Sequence, residues 1–323
     1  MGRMRDVRLL VSVLMFVCAQ VLAEQYPVRN ITFVVSYPAG GNGDIRGRQL
    51  GQQLTAILGK PVIVENKPGA GGNIGTEFVA RAAPDGYTIG MGSFAPLGVN
   101  HALFKKLGFD PFLDLVPVAL LEKGPLALVV NQKSPYKTVN DIVNAAKAKP
   151  GILTIANGGI GGSHHLSAEL FKQSAGIDMI NIPYKGGAPA ASDLMAGNVE
   201  MLFEQMYAAV PSIQSGKVRA IAVTSAKRLP TFPNVPTFAE SVYPGVEVQN
   251  WQGVIAPRGT SRAIVDKLNA AINQALLNPE FRTRITAQNN EPGGGSPEDF
   301  AALIRSESMK WGAVVREARI KPE

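Results

Sequence analysis

The sequence predicts an α/β protein whose two doubly wound α/β halves are joined by extended strands. Three observations carry this reading. Short β-branched runs alternate with helical stretches between residues 31 and 224, and glycine-rich loops follow several of those runs. Two long extended stretches, at 115–130 and 246–256, interrupt the alternation. At 323 residues the chain is also near the length at which one core divides into two.

The first half is organised around one stretch. Ile31-Thr32-Phe33-Val34-Val35 reads as a buried strand, and Ser36-Tyr37-Pro38-Ala39-Gly40-Gly41-Asn42-Gly43-Asp44 as the loop after it. Asp44 is expected as the N-cap of a helix carrying Ile45, Leu50, Leu54, Ile57 and Leu58, with Gly59 and Pro61 as its stop. A strand, a glycine loop and a helix N-terminus make a cup of free N–H groups that suits an anion. A strand at 61–65, a glycine loop at 66–75, a helix at 76–83 and a strand at 87–91 complete a βαβαβ unit. That last strand runs out through Gly92, Ser93 and Phe94.

The stretch 115–130 holds two apolar runs broken at Glu122-Lys123-Gly124-Pro125, which reads as a crossing between lobes. A second alternation follows it. Thr138 to Asp141 is a capping-box signature, 153–156 is a strand, and Asn157-Gly158-Gly159-Ile160-Gly161-Gly162 is another glycine loop. Ser163 is expected to cap the next helix, and strands at 179–183, 199–203 and 218–224 alternate with helices at 188–196 and 207–215. The stretch 246–256 is a second crossing. An amphipathic helix covers 261–277, and Ser296-Pro297-Glu298-Asp299 opens a terminal helix that returns to the first lobe.

Arg3, Arg5 and Arg8 before the apolar run 9–17, with Val21-Leu22-Ala23 at the cleavage position, predict an export signal over residues 1–23. The single cysteine, Cys18, lies inside it, so the exported chain has no thiol for disulfides, thiolate metal sites or nucleophilic catalysis. The signal carries three arginines and one aspartate, a net +2, so cleavage leaves +5 of the formal +7. The remaining lysines and arginines form no run and interleave with no aromatics, which argues against nucleic acid as a partner.

If the lobes face each other, the glycine loops meet in a cleft beyond the carboxyl ends of the strands. Ser163 and His164, at a helix start, bring a hydroxyl and an imidazole to that cleft. Enzyme readings fit less well. Gly69-Ala70-Gly71 places Ile74 where a dinucleotide fingerprint needs its third glycine. A hydrolase built on Ser163 and His164 would lack a nucleophile elbow. The three histidines, His101, His164 and His165, do not have metal-ligand spacing. No cofactor and no metal are expected, and no catalytic residue.

The order of motifs resembles one family. Tyr37-Pro38-Ala39-Gly40-Gly41-x-x-Asp44 is followed by Val64-Glu65-Asn66-Lys67-Pro68-Gly69-Ala70-Gly71-Gly72-x-x-Gly75 and Pro84-Asp85-Gly86-Tyr87-Thr88. Then come Gly161-Gly162-Ser163-His164-His165-Leu166, Ile182-Pro183-Tyr184-Lys185-Gly186-Gly187-Ala188-Pro189, Ala222 to Arg228, Val235 to Glu240 and Trp251-x-Gly253-x-x-Ala256-Pro257. Together they are similar to the Bug substrate-binding proteins, the extracytoplasmic receptors of tripartite tricarboxylate transporters. The resemblance covers essentially the whole exported chain.

It implies a type 2-like periplasmic binding-protein fold closing on a small organic carboxylate, with the membrane subunits of such a transporter as partner and the monomer as working unit. The lobes would be 24–124 plus 250–323, and 125–249. Carried over by motif, Tyr37, Pro38, Ala39, Gly40 and Asp44 would hold one carboxylate from the first lobe, joined by Ser93 and Phe94. Asn157, Gly159, Gly162, Ser163 and His164 would hold the ligand from the second. Where relatives commonly have Phe-Asp-Asn-Leu-Pro, this chain has Phe203-Glu204-Gln205-Met206-Tyr207, so Glu204 and Tyr207 are expected to reshape the distal pocket. A periplasmic sensor feeding a signalling partner is the alternative function, with a secreted Ser/His hydrolase further behind.

Overall fold

The computed structural model describes residues 26–321. The export signal expected over residues 1–23 lies outside them. The first half runs β1 (Ile31–Val35), α1 (Asn42–Leu58), β2 (Val62–Asn66), α2 (Asn73–Ala80) and β3 (Thr88–Ser93). β1 pairs in parallel with β2 on one side and β3 on the other, so this half is the expected βαβαβ unit. Two short helices, α3 (Phe94–Gly98) and α4 (Asn100–Leu103), follow at once where the sequence suggested only the strand's end.

The break expected at Glu122 to Pro125 does not occur. Residues Leu115–Asn131 form one strand of 17 residues, β4. The neighbouring long strand is β9 (Gln249–Pro257), antiparallel to it and in register at Lys123 with Trp251, Gly124 with Asn250 and Pro125 with Gln249. Backbone pairing with β9 keeps the segment extended through its charged and turn-forming residues.

The second half follows as α5 (Val139–Ala148), β5 (Thr154–Asn157), α6 (Ser163–Ala175), β6 (Ile180–Pro183), α7 (Gly187–Ala196), β7 (Met201–Gln205), α8 (Met206–Gln214) and β8 (Val218–Val223). The chain ends in α9 (Arg262–Leu277), α10 (Pro279–Thr286), β10 (Glu291–Gly294) and α11 (Pro297–Glu317). α5 begins at the capping box read in the sequence, Thr138 with Asp141, and α11 at the expected Ser296 cap, which forms a second box with Asp299. α10 and β10 escape a reading by pattern: β10 is Glu-Pro-Gly-Gly and becomes a strand only by pairing with β4.

The ten strands of the described residues form one curled, mixed sheet with the order β2-β1-β3-β9-β4-β7-β5-β6, while β8 and β10 pair β4 beside this path. The expectation of two doubly wound sheets is met at their outer parts, where β1, β2, β3 and β5, β6, β7 pair in parallel. The centre differs: β3 with β9 and β9 with β4 are antiparallel. The first part of β4 serves one half, and its last six residues serve the other through β7 and β8.

The return of the chain's end to the first half is visible in the packing. Trp311 on α11 stands edge-on to Phe94, ring centroids 5.1 Å apart, and Trp251 on β9 meets both Phe94 and Phe300. One apolar cluster joins these rings to Phe171, Phe203 and Phe238 of the second half. Among the described residues, no helix is long and apolar enough to cross a membrane.

Candidate functional site

Between the halves lies a cavity of about 430 Å³, within the size range of small-molecule sites. Beside the short α3, which follows Ser93, four longer helices begin on its wall. α1 starts after Gly41, α6 after Gly162, α7 after Gly186 and α8 after Gln205, and none of these N-caps makes a side-chain capping bond. Of the six helices that begin elsewhere among the described residues, α2 and α4 also lack a side-chain cap, but the other four have one. Thr138, Ser261, Asn278 and Ser296 each accept a backbone N–H at the start of α5, α9, α10 and α11. The first-turn N–H groups facing the cavity are thus kept open, and the aligned peptide dipoles put partial positive charge there.

Two expected caps are displaced by this arrangement. Asp44 is not the N-cap of α1 but its third residue, and it is buried. Its carboxylate accepts from the Gly40 N–H at 2.9 Å, from Arg48 Nε at 3.1 Å and from Asn66 Nδ2 at 2.9 Å. Burial pushes this carboxyl up, but those donors outweigh it and hold it below its ordinary range. Asp44 therefore braces the Tyr37–Gly41 loop from behind. Ser163 likewise is the first residue of α6, with Gly162 as the cap. Its hydroxyl accepts from Gln205 Nε2 at 3.2 Å, which leaves its own O–H free to donate.

Of the residues expected at the site, Tyr37, Pro38, Ser93, Phe94, Gly159, Gly162, Ser163, His164 and Tyr207 line the cavity. Tyr37 Oη and Ser93 Oγ are hydrogen-bonded at 2.8 Å, joining the ends of β1 and β3. Ala39, Gly40, Asp44, Asn157 and Glu204 stand off the wall. Gly40, at φ +81°, is the left-handed point of its turn. Asn157 Oδ1 accepts the Gly159 N–H at 3.1 Å, and its carbonyl accepts the Tyr184 N–H, so it ties two glycine loops together.

Glu204 lies directly behind His164, with Oε1 3.2 Å from His164 Nε2 and 3.0 Å from the Gln205 N–H that donates to it. Its other oxygen is buried without a hydrogen-bond partner. Burial together with the Glu204 charge pushes the Tyr207 phenol up to about 12. Ser163 pairs with Gln205 and His164 with Glu204, so the hydrogen bond between serine and imidazole that an activated Ser–His nucleophile requires is not made.

Other wall residues were not anticipated. Lys185, Gly186 and Gly187 form a glycine loop after β6, and Asn250 and Gln252 come from the crossing strand β9. The first group was open to the same strand–glycine–helix rule. The second carries no such signal, since a polar residue in an extended run looks the same whether it faces solvent or a cleft. Beneath Gln252 lies a buried ion pair, Arg46 Nε to Glu122 Oε2 at 2.9 Å, and Gln252 Nε2 donates to Glu122 Oε1. A larger, shallower groove of about 990 Å³ runs along the far end of the second half, but α7 and α8 present their C-terminal ends there, at Gly197 and Gly216. It has none of the anion-binding geometry of the cleft.

Two α/β halves, a pair of crossing strands and a cleft ringed by helix N-termini define a two-lobed solute-binding protein. Solved structures agree. MatC from Rhodopseudomonas palustris with bound malate is 35% identical with a TM-score of 0.81, covering 90% of this chain and 100% of that one. An R. palustris protein solved with adipate is 34% identical with a TM-score of 0.85, covering 92% and 100%. The periplasmic binding protein BugD is 35% identical with a TM-score of 0.82, covering 92% and 100%. In sequence, BugT of Bordetella pertussis is 39% identical over 306 residues, 94% of each chain. Residues 47–320 match the model of the tripartite tricarboxylate transporter family receptor. The chain belongs to that family of solute-binding receptors.

Proposed function

We propose that the cleft binds a small organic carboxylate on the periplasmic side of the membrane, after export and cleavage following Ala23, and that the closed form docks as a monomer on the membrane subunits of a tripartite tricarboxylate transporter. One observation carries the carboxylate reading: every helix that starts at the cavity lacks a side-chain cap, whereas α5, α9, α10 and α11, four of the six that start elsewhere among the described residues, have one. An anion there answers backbone N–H groups that nothing else answers. Adipate and malate in two relatives support the same class of ligand.

The lobes are 24–124 plus 250–323, and 125–249. Their boundaries at 124/125 and 249/250 lie opposite each other in the β4–β9 ladder, which favours a hinge at that point. Tyr37, Ser93, Ser163 and His164 make the anion site, with Asp44 and Asn157 fixing its loops. The test is a thermal-shift screen with aliphatic and aromatic carboxylates followed by calorimetry, because a ligand stabilises the fold by mass action. Ser163→Ala is expected to weaken the best ligand by about 1–2 kcal/mol, the range for a hydrogen bond to a charged group. Unchanged affinity would remove Ser163 from the site.

A further inference from the structure

The anion site and a buried carboxylate share one imidazole. His164 lines the cavity beside Ser163 in the first turn of α6, and its Nε2 lies 3.2 Å from Glu204 Oε1 behind the wall. Glu204 is 3% exposed, and its Oε2 is buried without a hydrogen bond. Among the described residues it pairs with no lysine or arginine. Its one ion pair is with His164, and only when that imidazole is protonated. Gly187, the first residue of α7, covers both groups: a β-carbon there would lie 3.5 Å from His164 Nε2 and 3.6 Å from Glu204 Oε1.

These contacts fix where a proton counts. An ionised Glu204 only accepts, so His164 donates to it through Nε2–H. The other ring nitrogen, Nδ1, then carries the difference between the neutral and the charged ring. It bonds to no described residue and stands beside Gly158 on the cavity wall, 3.0 Å from where a β-carbon on that glycine would be. In the neutral ring Nδ1 is a lone pair, and a carboxylate at the start of α6 meets it with the Glu204 charge behind. In the protonated ring Nδ1 is a second N–H donor, and one positive charge stands between two carboxylates. The ligand therefore favours the protonated pair, and by reciprocity the protonated pair favours the ligand by the same factor.

The neighbouring groups do not supply that proton. On α8, the Tyr207 phenol is pushed up to about 12 by burial and the Glu204 charge, so it stays neutral. His165, next to His164 on α6, accepts the Gly161 N–H at 3.2 Å and faces Glu169, which is itself bonded to Lys172. Burial holds the His165 imidazole below its ordinary value. Lys185, in the loop before α7, lines the cavity but is exposed, and solvent screens its charge. Gly158 and Gly187 bring no charge from β5 and α7. In the first half, Tyr37 is bonded to Ser93, and Asp44 to Gly40, Arg48 and Asn66.

We propose that each carboxylate bound brings a proton with it, taken up at the His164–Glu204 pair, so that the receptor carries ligand and proton together. This rests on the carboxylate-receptor reading above and adds a dependence on pH. Imidazole is the side chain whose charge ordinarily changes between about pH 5 and 8, so affinity falls as pH rises through that range. One proton per ligand amounts to a loss of up to about tenfold per pH unit.

The test is calorimetry on the intact exported protein with malate, adipate and benzoate, at about pH 7 in buffers of different ionisation enthalpy. Carboxylic acids of this kind are ionised there, so a proton taken up belongs to the protein. About half a proton or more per bound acid is expected, with affinity rising on acidification toward about pH 6. Spectra of isotope-labelled histidine read the site directly, since the chain has three histidines. The His164 resonance is expected to move to its protonated position when the acid is added.

Binding with no proton uptake and His164 unmoved overturns the proposal and leaves the carboxylate reading standing. Failure of all three acids to bind counts against both. Glu204→Gln keeps the shape and removes the charge. It is expected to tighten binding about threefold or more at about pH 8 and to lower the uptake. Unchanged affinity and uptake in a variant that melts like the parent would overturn the pairing on which the proposal stands.

Discussion

At the residue scale, the most exposed-looking decisions are made by buried charges. Arg46 and Glu122 are 1% and 2% exposed and lie directly under the cleft residue Gln252. Removing one partner leaves an uncompensated buried charge, so Glu122→Gln or Arg46→Met should each cost about 3–5 kcal/mol in urea unfolding. The double variant should recover part of that loss, and strict additivity of the two would contradict the pairing. Asp44 makes a different statement, about pH. Its unfolded carboxyl titrates near 3.8 and its folded one lower, so the folded state gains from Asp44 in full above that value. The gain is lost as pH falls through the folded value. Asp44→Asn should therefore destabilise by about 1 kcal/mol at neutral pH, and the gap to the parent should close on acidification below about pH 4. A gap that stays constant would mean the carboxylate charge is not what braces the loop.

At the element scale, the open helix starts are the feature most easily altered. Gly162 has an extended ψ of 164° and φ of −73°, which any residue adopts at an N-cap. Gly162→Asp would place a carboxylate on the N–H groups of α6 that the ligand is meant to use. It should lower ligand affinity tenfold or more while leaving folding stability within about 1 kcal/mol, read by calorimetry and melting on the same sample. Affinity that survives would show that α6 does not face the anion. How much of this was legible beforehand follows from residue types. The strands and the loops at Tyr37–Asp44 and Asn157–Ser163 were readable because β-branched runs and glycines are local signals. Which residue caps was not, because Asp44 and Ser163 suit an N-cap chemically, but tertiary contacts with Asn66 and Gln205 claim their side chains. Asn250 and Gln252 were invisible for want of any periodicity that tells a cleft face from a solvent face.

At the scale of the whole molecule, the halves share more than the two crossing strands. α11 binds into the first half through Trp311 and Phe94 and reaches the second at Gln173, whose side chain donates to the Val314 carbonyl at 3.5 Å. Trp311→Ala should cost about 3–5 kcal/mol, the range for emptying a core aromatic site, and should destabilise both halves in one transition. Two separate unfolding steps, seen by scanning calorimetry, would mean that the shared cluster does not couple them.

The ladder of β4 against β9 has a mechanical consequence. Paired strands resist sliding past each other, since a one-residue slip would break every bond in register and turn every side chain over. They bend and twist far more readily, most of all at Gly124-Pro125, where the proline offers no N–H to the ladder. The proposed lobes would thus nod toward each other rather than shear. Each donor on one jaw would then keep its partner position on the other, so that a ligand would meet the same alignment at every closure.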